Sequence, residues 1–364
     1  MPASYLLAGG GTAGHVNPLL ALASELSRRD PAASITVLGT REGLEAELVP
    51  DAGFPLRFVP RVPIPRRPTP ELLRVPVRLR AAIRAAEEAI EESGARVVVG
   101  FGGYVAAPAY LAARRRGIPV VVHEANARAG LANRLGARRA AAVAVTFADT
   151  RLPRAVLTGL PLRPAVARLV QAREVDLAGE RARARAELGL DPERRTILVS
   201  GGSLGAVSVN RAAVGAGARV VASGAQVLHL TGAGKDAEVR AAAPAEHYHV
   251  REYLQEMELA LAAAELVVCR AGAGMVSELA ALGLPAVYVP LPIGNGEQRL
   301  NASGVVSAGG GVLVEDAELS PEWLAGYLES LEEERLAAMA AAARSVGIRD
   351  GAARLADLVE GVLS

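Results

Sequence analysis

The sequence predicts an α/β fold: two Rossmann-like domains, each built on a doubly wound parallel sheet, facing each other across a cleft. Three observations carry this expectation. Short β-branched runs alternate with Ala/Leu/Arg/Glu-rich helical stretches along the chain. Several of those runs are apolar at every position, as strands buried on both faces must be. A strand leading into a glycine loop and then a helix occurs at Leu6-Leu7-Ala8-Gly9-Gly10-Gly11 and again at Leu198-Val199-Ser200-Gly201-Gly202-Ser203. Two such openings in 364 residues suit two domains, because a single core stops growing below that length.

In chain order, the first set of strands is expected at Tyr5–Ala8, Ile35–Leu38, Val97–Gly100, Pro119–Val122 and Ala142–Thr146. A break follows at Thr158-Gly159-Leu160-Pro161-Leu162-Arg163-Pro164, where two prolines and a glycine end one sheet and an Arg-rich helical stretch begins. The second set is expected at Thr196–Ser200, Gln226–Leu230, Tyr248–Val250, Leu266–Cys269, Ala286–Val289 and Val312–Val314. Residues 1–160 and 164–345 are therefore read as the two domains.

Composition narrows the function. Half the residues are hydrophobic, so a sizeable core is expected. Aromatics make up 3% of the chain and the net charge is +1, which argues against a base-stacking platform or a general nucleic-acid binder. The single cysteine, Cys269, excludes an internal disulfide and a Cys-based zinc site, and reads as a buried strand residue. The N-terminus lacks the basic start and length of a signal peptide. The uncharged run Leu279–Gly296 is broken by Pro285, Pro290 and Pro292, so it reads as helix end, strand and loop rather than a membrane span. One segment is unusual: Arg57–Arg84 holds eight arginines against Glu71 alone, with leucines and valines interleaved. It is a candidate contact for an anionic membrane surface, with Arg114, Arg115 and Arg116 extending it.

Three glycine clusters carry the chemistry. Gly9-Gly10-Gly11-Thr12-Ala13-Gly14-His15 joins the first strand to a helix, where missing side chains and free N–H groups suit a phosphate or sugar. It also fits G-x-G-x-x-G. The second strand nevertheless ends Leu38-Gly39-Thr40-Arg41 without the acid that NAD binding requires. Gly201-Gly202-Ser203-Leu204-Gly205-Ala206 and Cys269-Arg270-Ala271-Gly272-Ala273-Gly274-Met275-Val276-Ser277-Glu278 repeat the device. Glu278 is expected in the first turn of its helix, either holding ribose hydroxyls or simply complementing the helix dipole.

Together with Gly100-Phe101-Gly102-Gly103-Tyr104-Val105, His123-Glu124-Ala125-Asn126 and Gln298-Arg299-Leu300-Asn301-Ala302, these clusters resemble the bacterial MurG enzymes, peptidoglycan N-acetylglucosaminyltransferases. The motifs stand in family order from residue 9 to about residue 302. The resemblance implies a GT-B fold. The implied reaction is inverting transfer of N-acetylglucosamine from UDP to the 4-hydroxyl of a muramyl-pentapeptide on an undecaprenyl-diphosphate carrier. It implies a peripheral enzyme on the cytoplasmic face of the cell membrane, with no metal or other cofactor. The first domain would face acceptor and membrane and the second would bind the UDP-sugar, while a helix at about 350–364 would pack back onto the first domain.

Matching positions inherit expected contacts. Thr12, Ala13 and Gly14 would lie by the transferred sugar and diphosphate, and Asn126 by a sugar hydroxyl. Arg163 and Ser203 would contact uridine diphosphate. Leu254, Ala273, Gly274, Met275, Val276, Ser277 and Glu278 would hold uracil, phosphates and ribose, and Gln298 a sugar hydroxyl. The chain departs from the family at Leu160 and Leu204, which cannot make side-chain amide contacts, and at Glu297.

Displacement at the anomeric carbon needs a base for the incoming hydroxyl and stabilisation of departing UDP. No Asp-x-Asp occurs, so helix-terminal amides take the place of a metal clamp. His15 is the expected base, with His123 and Glu124 as the fallback. A UDP-N-acetylglucosamine 2-epimerase on the same fold, a non-catalytic membrane scaffold and an NADP oxidoreductase are the competing readings.

Overall fold

The computed structural model describes residues 3–62 and 75–363, and the chain forms two compact units. Met1–Pro164 with Asp350–Ser364 make the first, and Ala165–Arg349 the second. Each is an independent parallel α/β sandwich, a Rossmann-like domain.

The first unit runs β1 (Ser4–Ala8), α1 (Ala13–Arg29), β2 (Ser34–Gly39), α2 (Glu45–Asp51), β3 (Leu56–Phe58), α3 (Val75–Ser93) and β4 (Val97–Gly100). It continues with α4 (Gly103–Arg115), β5 (Val120–Glu124), α5 (Leu131–Ala137), β6 (Ala142–Val145) and β7 (Ala155–Leu157). The sheet order is β3-β2-β1-β4-β5-β6-β7, parallel throughout. β1 and β4 are buried at every residue, which explains their unbroken apolar sequence.

The second unit contains α6 (Pro164–Leu188), β8 (Arg195–Ser200), α7 (Val207–Ala222), β9 (Ala225–Leu230), α8 (Asp236–Ala242), β10 (Tyr248–Arg251) and α9 (Met257–Ala263). Then come β11 (Leu266–Arg270), α10 (Ala273–Leu282), β12 (Ala286–Val289), α11 (Glu297–Ser307), β13 (Gly311–Leu313), α12 (Pro321–Glu329) and α13 (Glu333–Val346). Its order, β10-β9-β8-β11-β12-β13, is also wholly parallel. In both sheets the first strand lies between the second and the fourth, so strand order reverses there. The carboxyl ends of β1/β4 and of β8/β11 are the switch points where such sheets bind ligands.

α14 (Gly351–Glu360) returns to the first unit and lies on α1. Leu355, Ala356 and Val359 are fully buried there, in one core with Val16, Leu19, Leu22 and Leu26. Burial of Leu355 and Val359 contributes roughly 1.5–3 kcal/mol each. Arg29 fixes the register, donating to Asp357 at 2.6 Å, Glu360 at 2.7 Å and the Ala353 carbonyl at 2.9 Å.

Two strands lie outside the sequence expectation. β3 is three residues with Arg57 at its centre, and β7 is exposed along its length. Both are edge strands, so neither shows the apolar run of a buried one. The run Leu279–Gly296 resolves into the end of α10, buried β12 and a loop. Residues 63–74 of the arginine-rich segment, including Arg66, Arg67 and Arg74, lie outside the described residues.

Candidate active site

The first switch point is built around a carboxylate that the sequence reading passed over. Glu45 opens α2 and is completely buried. It accepts hydrogen bonds from Gly11 N at 2.7 Å, Thr40 N at 2.8 Å and Thr40 Oγ1 at 2.7 Å. Burial raises its pKa, but the bonds from Gly11 and Thr40 outweigh that and hold the carboxyl below 4.5. Glu45 thus ties the loop after β1 to the end of β2. Gly10 must be glycine for this, because a Cβ there would stand 2.2 Å from Glu45 Oε1. Gly11 has a φ of +87°, which side chains resist.

His15 projects from the first turn of α1 and is half-buried. Its Nδ1 is 3.2 Å from the Gly10 carbonyl oxygen and 3.2 Å from Thr12 Oγ1. A carbonyl can only accept, so the network places the hydrogen on Nδ1 and the lone pair on Nε2. Burial pushes the imidazole pKa below 6.5, partly offset by the Glu124 carboxylate, the Gly10 carbonyl and Glu45. The ring is neutral at physiological pH and packs against the backbone of Gly102, at the start of α4. Among the described residues no side chain caps α1 or α4, which leaves first-turn N–H groups such as those of Ala13 and Gly14 for a ligand. A recess of about 60 Å³ adjoins the loop, lined by Gly10, Gly11, Thr40, Arg61 and Tyr104.

The end of β5 is a second carboxylate cradle. Glu124 accepts from Asn126 N at 2.9 Å, Gly130 N at 3.0 Å and Asn133 Nδ2 at 2.9 Å. Asn133 in turn accepts from the buried Tyr110 hydroxyl at 2.7 Å. These bonds shape the turn that carries half-buried Asn126. Three donors hold the fallback carboxylate Glu124 in place, and His123 is fully buried, with burial pushing its pKa down to about 4.

In the second unit, the loop after β8 exposes Ser203 and Leu204, the latter 80% accessible. The α7 N-terminus has no side-chain cap. Gly205, at φ +67°, packs against the Thr231 carbonyl where no side chain fits. The loop after β11 leads into α10, whose N-terminus also lacks a side-chain cap. Asn301 Nδ2 holds this loop through the Ala271 carbonyl at 3.2 Å. Arg270, missed by the sequence reading, ties the ends of β11 and β12 to α7. It pairs with Asp316 at 2.5 Å and donates to Ser208 Oγ at 3.0 Å and to the Pro290 carbonyl at 3.1 Å.

α10 begins at Ala273, so Glu278 stands in its second turn, not the first as expected. It is 6% exposed. Dipole complementation fades beyond the first turn, so that bland account of the residue weakens. The Val276 and Ala273 side chains are buried, and Val276 N donates to the Gly272 carbonyl at 3.0 Å, while Gly274, Met275 and Ser277 are half-buried. Leu254 is half-buried in the loop before α9. Gln298, in the first turn of α11, accepts from Leu291 N at 3.0 Å and so also holds its own loop. Glu297 accepts from Asn295 N at 3.3 Å. Arg163 is half-buried at the end of the first unit, beside buried Leu160.

Comparison with known proteins accounts for both halves. Residues 5–145 match the glycosyltransferase family 28 N-terminal domain, and residues 196–357 its C-terminal domain. A protein of Clavibacter michiganensis subsp. michiganensis is 56% identical over 358 residues, covering 98% of this chain and 95% of its own. One of Acidothermus cellulolyticus is 56% identical, covering 98% and 96%. Both are named UDP-N-acetylglucosamine--N-acetylmuramyl-(pentapeptide) pyrophosphoryl-undecaprenol N-acetylglucosamine transferase. The chain belongs to the MurG family of glycosyltransferases. The crystal structure of Acinetobacter baumannii MurG superimposes with a TM-score of 0.78 at 28% identity, covering 99% of this chain and 100% of that one. The calicheamicin glycosyltransferase CalG4, at 21% identity and a TM-score of 0.69 over 100% and 98% of the chains, shares the fold. Within the family-28 domains, Thr12, Ala13, Gly14, His15 and Asn126 fall in the N-terminal match. Ser203, Leu254, Ala273 to Glu278 and Gln298 fall in the C-terminal one, and Arg163 lies between.

Proposed function

We propose that this enzyme transfers N-acetylglucosamine from UDP-N-acetylglucosamine to the 4-hydroxyl of the muramyl sugar of undecaprenyl-diphospho-muramoyl-pentapeptide, with inversion. The observation that carries the reading is His15, an imidazole with Nε2 open at the β1/β4 switch point of a chain 56% identical to named transferases. Nε2 takes the proton of the acceptor hydroxyl as the new bond forms. Thr12, Ala13 and Gly14 present backbone to the diphosphate and sugar, and Asn126 meets a sugar hydroxyl. In the second unit, Ser203 and the α10 N-terminus stabilise the departing UDP. Leu254 flanks uracil, Glu278 accepts from ribose hydroxyls, Gln298 meets the donor sugar and Arg163 the diphosphate. Incubation with labelled UDP-N-acetylglucosamine tests this directly. Acceptor-dependent UDP release supports transfer, whereas acceptor-independent epimerisation at C2 would select the epimerase reading.

No described helix is long and apolar enough to cross a membrane. The first unit meets the cytoplasmic leaflet as a peripheral protein in this proposal. Support comes from a groove of about 520 Å³ between α4 and α5, lined by Leu111, Ile118, Leu135, Arg114, Arg138 and Arg139. Leu131, beside it, is 75% exposed. Arg115 and Arg116 instead pair with Glu87 and Glu91 of α3, which leaves Arg114 of the three arginines expected to extend the Arg57–Arg84 segment. Replacing Arg114, Arg138 and Arg139 with Gln should weaken binding to anionic vesicles by about 1 kcal/mol per arginine. Sedimentation with vesicles measures it, with a short-chain soluble acceptor as the activity control. If Arg66, Arg67, Arg74 and Arg78 replaced by Gln abolish binding and the triple variant does not, the contact belongs to the 57–84 segment.

A further inference from the structure

The second unit carries another recess at the opposite edge of its sheet from the glycine loops. Arg195 opens β8, Glu265 precedes β11, and Leu284 and Pro285 precede β12, so its floor is where these strands begin. α6 and α13 wall it. Its volume is about 650 Å³, inside the usual range for a small-molecule site.

Five guanidinium groups line it, those of Arg173, Arg181, Arg185, Arg195 and Arg344, against three carboxylates. Glu265 is already engaged: it accepts twice from Arg185 Nη2, at 2.5 and 2.6 Å, and lies 3.2 Å from Arg181 Nε. Glu193 and Glu333 are exposed. Arg344 has no side-chain partner among the described residues. Arg173 is only 6% exposed. Its Nη1 donates to the Leu261 carbonyl at 3.2 Å, but its Nε has no partner among the described residues. Burial, with Arg181 and Arg344 nearby, lowers its pKa to about 10. Glu265 offsets this only in part, and a guanidinium buried with too little negative charge around it is costly.

The helix itself is shaped to this end. α6 breaks at Asp176 (φ −147°, ψ 83°), between Arg173 and the arginines that follow. Asp176 Oδ1 accepts from Gly179 N at 2.8 Å and so caps the second segment. The break redirects the helix, and arginines from both segments line one recess.

We propose that this recess binds a small organic phosphate. The phosphate meets Arg173, Arg181 and Arg344, whose forked donors match its oxygens. The organic body lies on Leu177, Leu284 and Leu336, which give the recess an apolar wall that inorganic phosphate would leave unused.

Titration calorimetry of the full chain tests the assignment, with phenyl phosphate as probe and no nucleotide present. Phenyl phosphate should bind, and Arg344→Gln, at an exposed position, should weaken binding about tenfold. Arg173→Gln should abolish it. Should Arg173→Gln fail to fold, Arg344→Gln alone decides. Equal binding by parent and Arg344→Gln, or no binding by the parent, overturns the site. Inorganic phosphate binding as tightly as phenyl phosphate overturns the organic-body part.

Discussion

The two sheets share one strand order and one switch point, yet their loops are stabilised by opposite means. In the first unit, a buried carboxylate holds each loop: Glu45 behind Gly11 and Glu124 behind Asn126 and Gly130. In the second, the loop after β8 is exposed, and the ties at the sheet's carboxyl end come from Arg270 and Asn301. Burial keeps the imidazole of the first loops neutral, against the opposing pull of the negative charge beneath them. Positive charge and uncapped helix N-termini at the second suit a leaving anion. In the proposed mechanism the same scaffold serves proton transfer in one unit and anion stabilisation in the other.

The sharpest way to break this contrast is at His15. His15→Ala should lower turnover about 10²–10⁴-fold, the range for a lost general base. Donor affinity should change little, because the His15 ring is assigned to the acceptor hydroxyl and the donor contacts to other residues. Steady-state rates and UDP-N-acetylglucosamine binding measure the two separately, and undiminished turnover would remove His15 from the chemistry.

Glu45→Gln comes next. The amide of Gln cannot accept from both Gly11 N and Thr40 N, so one buried donor is left unpaired. The cost should be about 1–3 kcal/mol of stability, read by urea unfolding. The loop that carries His15 should loosen with it, lowering kcat without a matching rise in donor KM. Unchanged stability and unchanged kcat would show that the loop keeps its shape without the carboxylate.

Glu278→Ala should act on the other side of the comparison. It should raise donor KM about tenfold, as loss of ground-state binding does, and spare turnover at saturation. If parent and variant use a 2′-deoxyribose donor equally well, Glu278 does not touch the ribose.

The smallest effect is a shift in pH dependence. Burial lowers the His15 pKa, so the neutral base persists as pH falls through 6.5. The acid limb of kcat/KM should therefore lie below 6.5. A limb above that value would mean that His15 is stabilised in its charged form, contrary to its surroundings.

Much of the scaffold was legible because a buried parallel strand has to be apolar on both faces. β4 and β12 fall where the sequence places them, Val97–Gly100 and Ala286–Val289. The glycine loops were legible for a related reason, since a turn of positive φ or close approach admits little else. β3 and β7 were not, being short edge strands that need no apolar run.

What the sequence by itself determined, then, is the α/β alternation, the repeated strand–loop–helix device and the motifs that mark the family. Tertiary structure alone decided what Glu45, Arg270 and Arg173 do. Glu45 and Arg173 are charged residues among other charges that composition reads as solvated surface, and Arg270 ends an apolar strand. Glu45 meets its partner 34 residues away, and Arg173 meets the Leu261 carbonyl 88 residues away. A charge becomes a buried anchor only when distant segments close over it. The energy of that burial depends on partners brought by the fold, and no local pattern of residues records them.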